Sequence, residues 1–255
     1  MSAPQRLAIV TGGHARVGEV ISRTLAARGW TVLVHARQGA ARAEALAHAL
    51  HGAASPGIWV ADLAEPEAAL AAFEALLARL RETLGETAGE GAEIALVHNA
   101  SAFENDDRRS VTGARWHLHH AVHYETPVRM MLALAQAFPR GQAVLLLDQN
   151  VENLHEQFLS YCLSKGAMHA AMKRLALALA PFRVNAVAPG PTLPLPEADQ
   201  AAFAAAAQAT PLQGAVDPAE VADAVAWLLD ARRVTAQTIF VDAGQHLRQW
   251  KEPAA

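Results

Sequence analysis

Cysteine, long apolar runs and a strong net charge are scarce or missing in this sequence, and each absence excludes a class of protein. Cys162 is the one cysteine among 255 residues, so no internal disulfide can form, which suits a reducing compartment. No apolar run approaches the roughly 20 residues that cross a bilayer, and the first residues lack a signal-peptide pattern. A net charge of −4 gives no electrostatic reason to bind nucleic acid or an anionic membrane. We therefore expect a cytoplasmic globular protein without either partner.

The sequence is rich instead in short apolar runs that alternate with longer helical patterns. The runs are RLAIV, TVLVHAR, GIWVADL, EIALVHNAS, AVLLLDQ, RVNAVAPG and TIFVDAG. Because they lack polar alternation, they suit parallel strands that helices bury on both faces. No linker divides the chain, so we predict one α/β domain over residues 1–255, with a doubly wound parallel sheet of about seven strands. Residues 190–214 interrupt the rhythm with prolines and an alanine-rich helix, and we expect them to cover the substrate.

The segment TGGHARVG, residues 11–18, lies between the first predicted strand and the first predicted helix. Glycines at such a turn allow backbone N–H groups and the helix dipole to bind a pyrophosphate, although a simple tight turn would look the same. The second strand ends in HARQ, which contains His35 and Arg37 but no carboxylate. A carboxylate there would repel the extra phosphate of NADP, whereas an arginine would bind it. The pattern favours NADPH as the cofactor, with a solvated Arg37 as the alternative.

Tyr161 and Lys165 of YCLSK are four residues apart, so they share one face of the helix predicted over about residues 161–179. Together with TGG…G, HNAS and APG in this order, they resemble the short-chain dehydrogenases/reductases over nearly the whole chain. The resemblance implies a Rossmann fold, a homotetramer and an NADPH-dependent reductase. It also implies that the tyrosine is the proton donor, while the lysine lowers the tyrosine pKa and holds the nicotinamide ribose.

The resemblance further assigns residues to the cofactor. Asp62 and Leu63 would flank the adenine, and Pro189 and Gly190 would lie beside the nicotinamide. The complete set of expected cofactor-binding residues is Thr11, Gly12, His14, Arg16, Val17, Gly18, His35, Arg37, Asp62, Leu63, Asn99, Ala100, Ser101, Tyr161, Lys165, Pro189 and Gly190.

One departure from the family pattern concerns the catalytic group beside the tyrosine. Most members have a serine or threonine about 13 residues before Tyr161, where this sequence has Asp148. An ionised carboxylate only accepts hydrogen bonds, so it would repel a carbonyl oxygen that gains negative charge. Asp148 could instead bind N–H groups or relay a proton during reduction of a C=N bond, and the alternative is a cap of the following turn. We expect Asp148, Tyr161 and Lys165 to be the catalytic residues.

Arg16, Asp148 and the run NASAF form a combination that resembles the pteridine reductases and the bacterial dihydromonapterin reductases. The resemblance implies that Arg16 lies beside the cofactor phosphates and the pterin. It also implies that Ser101 contacts the pterin and that Phe103 stacks over it, with ordinary packing as the alternative for Phe103. The expected substrate-binding residues are Arg16, Ser101, Phe103, Asp148 and Tyr161.

Several histidines invite other interpretations. His123 replaces an asparagine found in most family members, and it either holds water that connects Lys165 to solvent or packs against its neighbours. His119 lies four residues earlier, but no cysteine or carboxylate pattern completes a metal site, so we expect no metal and interpret these as surface histidines of a helix. Cys162 is expected to belong to the core. Arg248 in the C-terminal tail could reach a neighbouring subunit.

The leading hypothesis is NADPH-dependent reduction of a dihydropterin, such as dihydromonapterin, dihydrobiopterin or dihydrofolate, to the tetrahydro form. One alternative is reduction of a ketone such as a 3-oxoacyl thioester, for which Asp148 is the wrong group. A second alternative is a non-catalytic NADP(H)-binding regulator, against which the intact pair of Tyr161 and Lys165 counts.

Overall fold

A computed structural model describes residues 5–84, 92–194 and 200–247. Its sheet contains seven strands: Gln5–Thr11 (β1), Thr31–Ala36 (β2), Ile58–Val60 (β3), Ala92–His98 (β4), Gln142–Leu146 (β5), Arg183–Pro189 (β6) and Thr238–Val241 (β7). The strand order is β3-β2-β1-β4-β5-β6-β7, and every pairing is parallel. The predicted doubly wound Rossmann sheet is therefore confirmed.

Helices connect successive strands and cover both faces of the sheet. They are Arg16–Ala27 (α1), Ala40–His51 (α2), Pro66–Leu84 (α3), Gly113–His120 (α4), Thr126–Ala137 (α5), Leu159–Ala178 (α6), Gln200–Gln208 (α7) and Pro218–Asp230 (α8). A π-helical segment, Ala121–Glu125, joins α4 to α5. Within the described ranges, none of these helices combines the length and the apolar character needed to cross a bilayer.

The two faces of the sheet each have their own apolar core. On β1, Leu7 and Ile9 join the cluster formed with α3, α5 and α6, whereas Ala8 and Val10 join the cluster formed with α1, α2 and α8. Side chains of a strand alternate between its two faces, so a strand buried on both sides must be apolar throughout. Most of the described strand interiors are consequently apolar, with the buried Asn185 of β6 as an exception.

The strand order reverses between β1 and β4, which are neighbours although two strands separate them in sequence. Their last residues, Thr11 and His98, are partners in the parallel register. In open α/β sheets, ligands bind beyond the carboxyl ends of the strands at such a reversal. This geometry brings the segments after β1, β4 and β5 to one edge of the sheet.

The structure refines several expectations about the connecting segments. The alanine-rich helix expected within residues 190–214 is present as α7, while residues 195–199 of that segment lie outside the described ranges. Arg248 also lies outside them. The assignment of Cys162 to the core was wrong, because this residue is only half-buried on α6.

Candidate active site

The turn between β1 and α1 is shaped by a close approach of backbone to backbone. A Cβ atom at Gly18 would lie 2.1 Å from the Gly12 carbonyl oxygen and 2.5 Å from Asn99 Nδ2, so a larger residue would displace the turn. The residue before α1, Ala15, has no side chain that could cap the first helical N–H groups. An uncapped helix N-terminus behind a glycine turn is a favourable place for a phosphate group.

His35 fixes the shape of this turn from the neighbouring strand. Its Nδ1 accepts the Gly12 N–H at 3.0 Å, and its Nε2 lies 3.1 Å from the Ala61 carbonyl oxygen. Burial lowers the pKa of His35 to about 4, so the ring is neutral at pH 7 and Nε2 donates to that carbonyl. His35 therefore positions the turn and offers no positive charge to a phosphate. Arg37, two residues later, is exposed.

Thr11 and His98 crosslink the ends of β1 and β4. The Thr11 hydroxyl oxygen accepts the N–H groups of Asn99 and Ala100, each at 2.9 Å, and lies 3.2 Å from His98 Nδ1. His98 Nε2 contacts the Val122 carbonyl oxygen at 3.0 Å, and burial, with the charge of Lys165, lowers the pKa of His98 to about 3. A neutral His98 thus accepts from Thr11 and donates to Val122. These bonds fix where the segment after β4 leaves the sheet.

A cavity of about 580 Å³ lies beyond these strand ends, within the size range of small-molecule sites. Its lining includes most of the expected cofactor residues and three of the expected substrate residues, Arg16, Ser101 and Phe103. The expected residues in the lining are Gly12, His14, Arg16, Val17, Gly18, His35, Arg37, Asp62, Leu63, Asn99, Ala100, Ser101 and Phe103. The expected cofactor residues Thr11, Tyr161, Lys165, Pro189 and Gly190 are not part of this lining. Thr11 is buried beneath the turn, while Pro189 ends β6 and the Gly190 N–H donates to the Val241 carbonyl at 3.0 Å.

Asp148 and Tyr161 form a direct pair. The Tyr161 hydroxyl donates to Asp148 Oδ2 at 2.8 Å, while Asp148 Oδ1 accepts the Asn150 N–H at 2.9 Å. The alternative interpretation of Asp148 as a cap is therefore confirmed for one oxygen, while the other oxygen contacts the tyrosine and the catalytic role stays a prediction. Burial raises the pKa of Asp148, and the hydrogen bonds from Asn150 and Tyr161 partly oppose this rise.

The expected effect of Lys165 on Tyr161 is not found. Burial and the adjacent Asp148 carboxylate raise the pKa of Tyr161 well above its usual value. Lys165 Nζ donates to the Leu146 carbonyl at 2.7 Å and lies 5.7 Å from the Tyr161 ring centre, so the carboxylate dominates. Burial lowers the pKa of Lys165 to about 8, against a smaller opposing effect of Asp148. The tyrosine therefore holds its proton strongly.

Phe103 connects the catalytic pair to the cavity. Its ring is 37% exposed, stacks on Phe158 at a centroid distance of 4.6 Å and meets the edge of the Tyr161 ring at 4.8 Å. These contacts show that Phe103 packs against its neighbours, and its stacking over a pterin stays a prediction. Ser101, two residues earlier, also faces this cavity.

Arg16 occupies the backbone conformation of a glycine. Its φ angle is +53°, in the left-handed region that costs a residue with a side chain on the order of 1 kcal/mol. Its guanidinium Nη2 donates to the carbonyl oxygens of Leu193 and Pro194 at 3.0 and 2.9 Å. Arg16 thus links the glycine turn to the first part of the segment expected to cover the substrate.

The expectation of surface histidines was wrong. His119 and His123 are 0% and 1% exposed, because the helix carrying them packs against α6. Both ring nitrogens of His123 contact protein groups, namely Ser164 Oγ at 2.9 Å and the Ala102 N–H at 3.1 Å, which supports the packing alternative rather than the water-holding one. Across the described ranges, no group of histidine, cysteine, aspartate and glutamate side chains forms a metal site.

Sequence reasoning missed several buried polar residues around the site. His98, Asp106, Ser160 and Ser164 are all buried and hydrogen-bonded near the predicted residues. One signal was available, since Ser160 and Ser164 repeat the four-residue spacing of His119 and His123.

The sequence and the fold were compared with those of known proteins. Residues 13–246 match the family model described as Enoyl-(Acyl carrier protein) reductase. The crystal structure of FolM alternative dihydrofolate reductase 1 from Brucella canis, complexed with NADP, is 34% identical and superposes with a TM-score of 0.86, covering 99% of this chain and 98% of that one.

Curated relatives carry two kinds of name. The protein named "Granaticin polyketide synthase putative ketoacyl reductase 2" from Streptomyces violaceoruber is 31% identical over 94% of this chain and 96% of its own length. Dihydromonapterin reductase from Enterobacter sp. (strain 638) is 27% identical over 96% of this chain and 99% of its own length. The chain belongs to the short-chain dehydrogenases/reductases, a family of oxidoreductases.

Proposed function

We propose that this protein reduces a dihydropterin, such as dihydromonapterin, dihydrobiopterin or dihydrofolate, to the tetrahydro form with NADPH. The observation that carries the proposal is the Asp148 carboxylate, 2.8 Å from the Tyr161 hydroxyl, where a carbonyl reductase needs a hydroxyl donor. The likeness to the NADP-bound dihydrofolate reductase structure and to dihydromonapterin reductase supports it.

The residues around the cavity fit NADPH. The uncapped N-terminus of α1, with the close packing at Gly18, suits the pyrophosphate. The exposed Arg37 guanidinium suits the ribose phosphate that distinguishes NADPH from NADH. Lys165 and the backbone around Asn99 would hold the nicotinamide half. When bound, NADPH supplies the hydride that reduces the ring carbon of the C=N bond.

The chain's own residues hold the substrate and supply the proton. Phe103 stacks on the flat ring, and Ser101 contacts its polar edge. Burial raises the pKa of Asp148, which makes it easier for this carboxyl to take up a proton and to pass it through the Tyr161 hydroxyl to the ring nitrogen of the reduced bond. The positive charge of Lys165 lowers the pKa of Asp148 and so favours release of its proton toward the substrate.

Arg16 and residues 190–214 would close the cavity over the substrate. The two hydrogen bonds from Arg16 to the carbonyls of Leu193 and Pro194 support this assignment, because they attach the start of the segment to the cofactor turn. The homotetramer and the cytoplasmic location stay predictions.

Reduction of a ketone is the second candidate, and it is favoured by the ketoacyl reductase among the relatives. A direct test measures NADPH oxidation with dihydrobiopterin, dihydromonapterin and dihydrofolate against an acetoacetyl thioester. We expect turnover of at least one dihydropterin and little of the thioester, and no turnover by Tyr161→Phe. The reverse substrate preference would overturn the proposal. Tight NADPH binding without turnover of any substrate would favour the regulator.

Replacing Arg37 with aspartate is expected to lower the preference for NADPH over NADH by about 10-fold to 100-fold. The substitution removes a charge-assisted hydrogen bond to the extra phosphate, worth about 1.5–3 kcal/mol, and adds a repulsive carboxylate. The measurement is kcat/KM with each cofactor. Lys173→Asp, an equal charge change on the exposed part of α6, is the matched control. An equal loss with both cofactors would contradict the phosphate assignment.

A further inference from the structure

Two buried histidines, one helical turn apart, face two buried serines that are also one turn apart. His119 Nδ1 contacts Ser160 Oγ at 2.7 Å, and His123 Nδ1 contacts Ser164 Oγ at 2.9 Å. The two imidazole rings are stacked at 5.7 Å with an interplanar angle of 12°. We call these contacts the His119–Ser160 rung and the His123–Ser164 rung.

The hydrogen bond made by Nε2 of each histidine determines the tautomer of its ring. His119 Nε2 lies 3.3 Å from the Glu104 backbone nitrogen, and His123 Nε2 lies 3.1 Å from that of Ala102. A backbone N–H can only donate, so each Nε2 must be an unprotonated acceptor. Burial lowers the pKa of both histidines, which keeps the rings neutral with the proton on Nδ1. Each Nδ1–H then donates to its serine.

The rungs join two parts of the active site. On one side, the Nε2 atoms hold the backbone of segment 101–106, which carries Ser101 and Phe103. On the other side, the serines belong to α6, which carries Tyr161 and Lys165. Asp106 completes the connection, since it accepts hydrogen bonds from the Ser160 hydroxyl and from the Ser160 N–H, the latter at 3.0 Å.

His123 also sets the polarity of the Ser101 hydroxyl. Ser101 Oγ lies 2.9 Å from His123 Nε2 and 3.3 Å from the Ala102 carbonyl oxygen. The Tyr161 hydroxyl also shares a hydrogen bond with Ser101, and its oxygen is an acceptor because its own proton is donated to Asp148. All three neighbours of the Ser101 hydroxyl therefore offer an acceptor, so its proton is directed toward the protein in each arrangement. The oxygen lone pairs of Ser101 then face the cavity that this residue lines.

We propose that His119 and His123 are positioning residues that hold segment 101–106 against α6, and that His123 presents Ser101 to the cavity as a hydrogen-bond acceptor. The site then selects a substrate with an N–H donor at this point. This inference rests on the proposed function, because a dihydropterin offers ring N–H and amino groups, whereas a simple ketone offers only an acceptor.

Two substitutions at His123 distinguish the contribution of its Nδ1 atom from that of its Nε2 atom. The amide of asparagine reaches only the place of Nδ1, whereas the amide oxygen of glutamine reaches the place of Nε2. We expect His123→Asn to raise KM for the dihydropterin about 3-fold to 10-fold, the effect of one neutral hydrogen bond. We expect kcat and the NADPH dissociation constant to stay within about 2-fold, and His123→Gln to recover most of the KM.

The variant Ser101→Ala removes the other partner of the hydrogen bond between Ser101 Oγ and His123 Nε2. Its KM increase should be similar, and the double variant Ser101→Ala with His123→Asn should be no worse than the poorer single one. His117→Asn, on the exposed side of the same helix, is the matched control and should leave KM unchanged. Equal KM values for His123→Asn and His123→Gln, or a loss confined to kcat, would overturn the proposal.

Nitrogen NMR of the ¹⁵N-histidine-labelled full-length protein at pH 7 tests the rungs without any substrate. We expect both histidines as neutral rings with the proton on Nδ1. A proton on Nε2, or a doubly protonated ring, would overturn the proposal even if the variants failed to fold. If the wild type reduced no dihydropterin, the proposed function would fail while this measurement still decided the positioning roles.

Discussion

Asp148→Ser is expected to lower kcat for dihydropterin reduction about 100-fold or more while leaving the NADPH dissociation constant unchanged. A positioned acid–base group typically contributes about 10²-fold to 10⁴-fold, and Asp148 is the group bonded to the Tyr161 hydroxyl at 2.8 Å. The hydrogen bonds of Asp148 go to Tyr161 and to the Asn150 N–H rather than to the glycine turn or Arg37, so we expect cofactor affinity to change little. Steady-state kinetics and fluorescence titration with NADPH measure the two effects.

Two comparison variants sharpen this prediction. Asp148→Asn keeps the shape and the turn cap to Asn150 but cannot supply an acidic proton, so it should lose dihydropterin reduction as Asp148→Ser does. Glu152→Ser, an exposed carboxylate four residues later, should have no effect. A dihydropterin rate within about 3-fold of wild type in Asp148→Ser would show that the carboxylate takes no part in proton transfer.

The second large effect concerns acid stability. Between pH 7 and pH 5, we expect the free energy of unfolding to fall by about 4 kcal/mol from His35 and His98 alone. The folded-state pKa values of about 4 and about 3 lie below the usual value of 6.5. As the pH falls through 6.5, His35 and His98 become protonated in the unfolded chain but stay neutral in the folded protein. The unfolded state is therefore stabilised relative to the folded state, and the free energy of unfolding falls. Urea unfolding at each pH measures the change.

Other titratable groups with shifted pKa values also contribute to the pH dependence of the free energy of unfolding. Burial also lowers the pKa of His119 and His123, which adds to the loss, whereas the raised pKa of Asp148 opposes it. His35→Asn keeps an acceptor for the Gly12 N–H and should remove about half of the dependence on pH. His117→Gln, on the surface, should leave it unchanged. Equal stability at pH 5 and pH 7 would mean that the buried rings accept protons in the folded state.

The strands and helices could be predicted from the sequence because the pattern of apolar residues that marks each one lies within a short stretch of the chain. Seven apolar runs separated by helical patterns have few arrangements other than a parallel sheet with helices on both faces, and the reversal between β1 and β4 then places the strand ends together. The pairing of Asp148 with Tyr161 was also within reach, because both lie where the family pattern puts its catalytic groups.

The buried polar contacts were out of reach because they join distant segments. Nothing local marks His119 as a core residue, since its partners Glu104 and Ser160 come from a loop and from another helix. The pKa of Tyr161 depends on which charged group lies nearer to it, and this cannot be read from the sequence. In the structure the Asp148 carboxylate is nearer than Lys165, so the pKa is raised. Cys162 was assigned to the core by helical spacing alone, but its side of α6 is only partly covered.

The seclusion of Tyr161 also makes the protein suited to spectroscopy. The chain has two tyrosines, and the other, Tyr124, is 36% exposed in the π-helical segment. Incorporation of fluorotyrosine would therefore give two fluorine resonances, one from a solvated ring and one from a ring enclosed by Phe103, His123 and Asp148. The Tyr124→Phe variant would leave a single resonance from the reaction centre, so that arrival of cofactor, substrate or product could be followed at one atom.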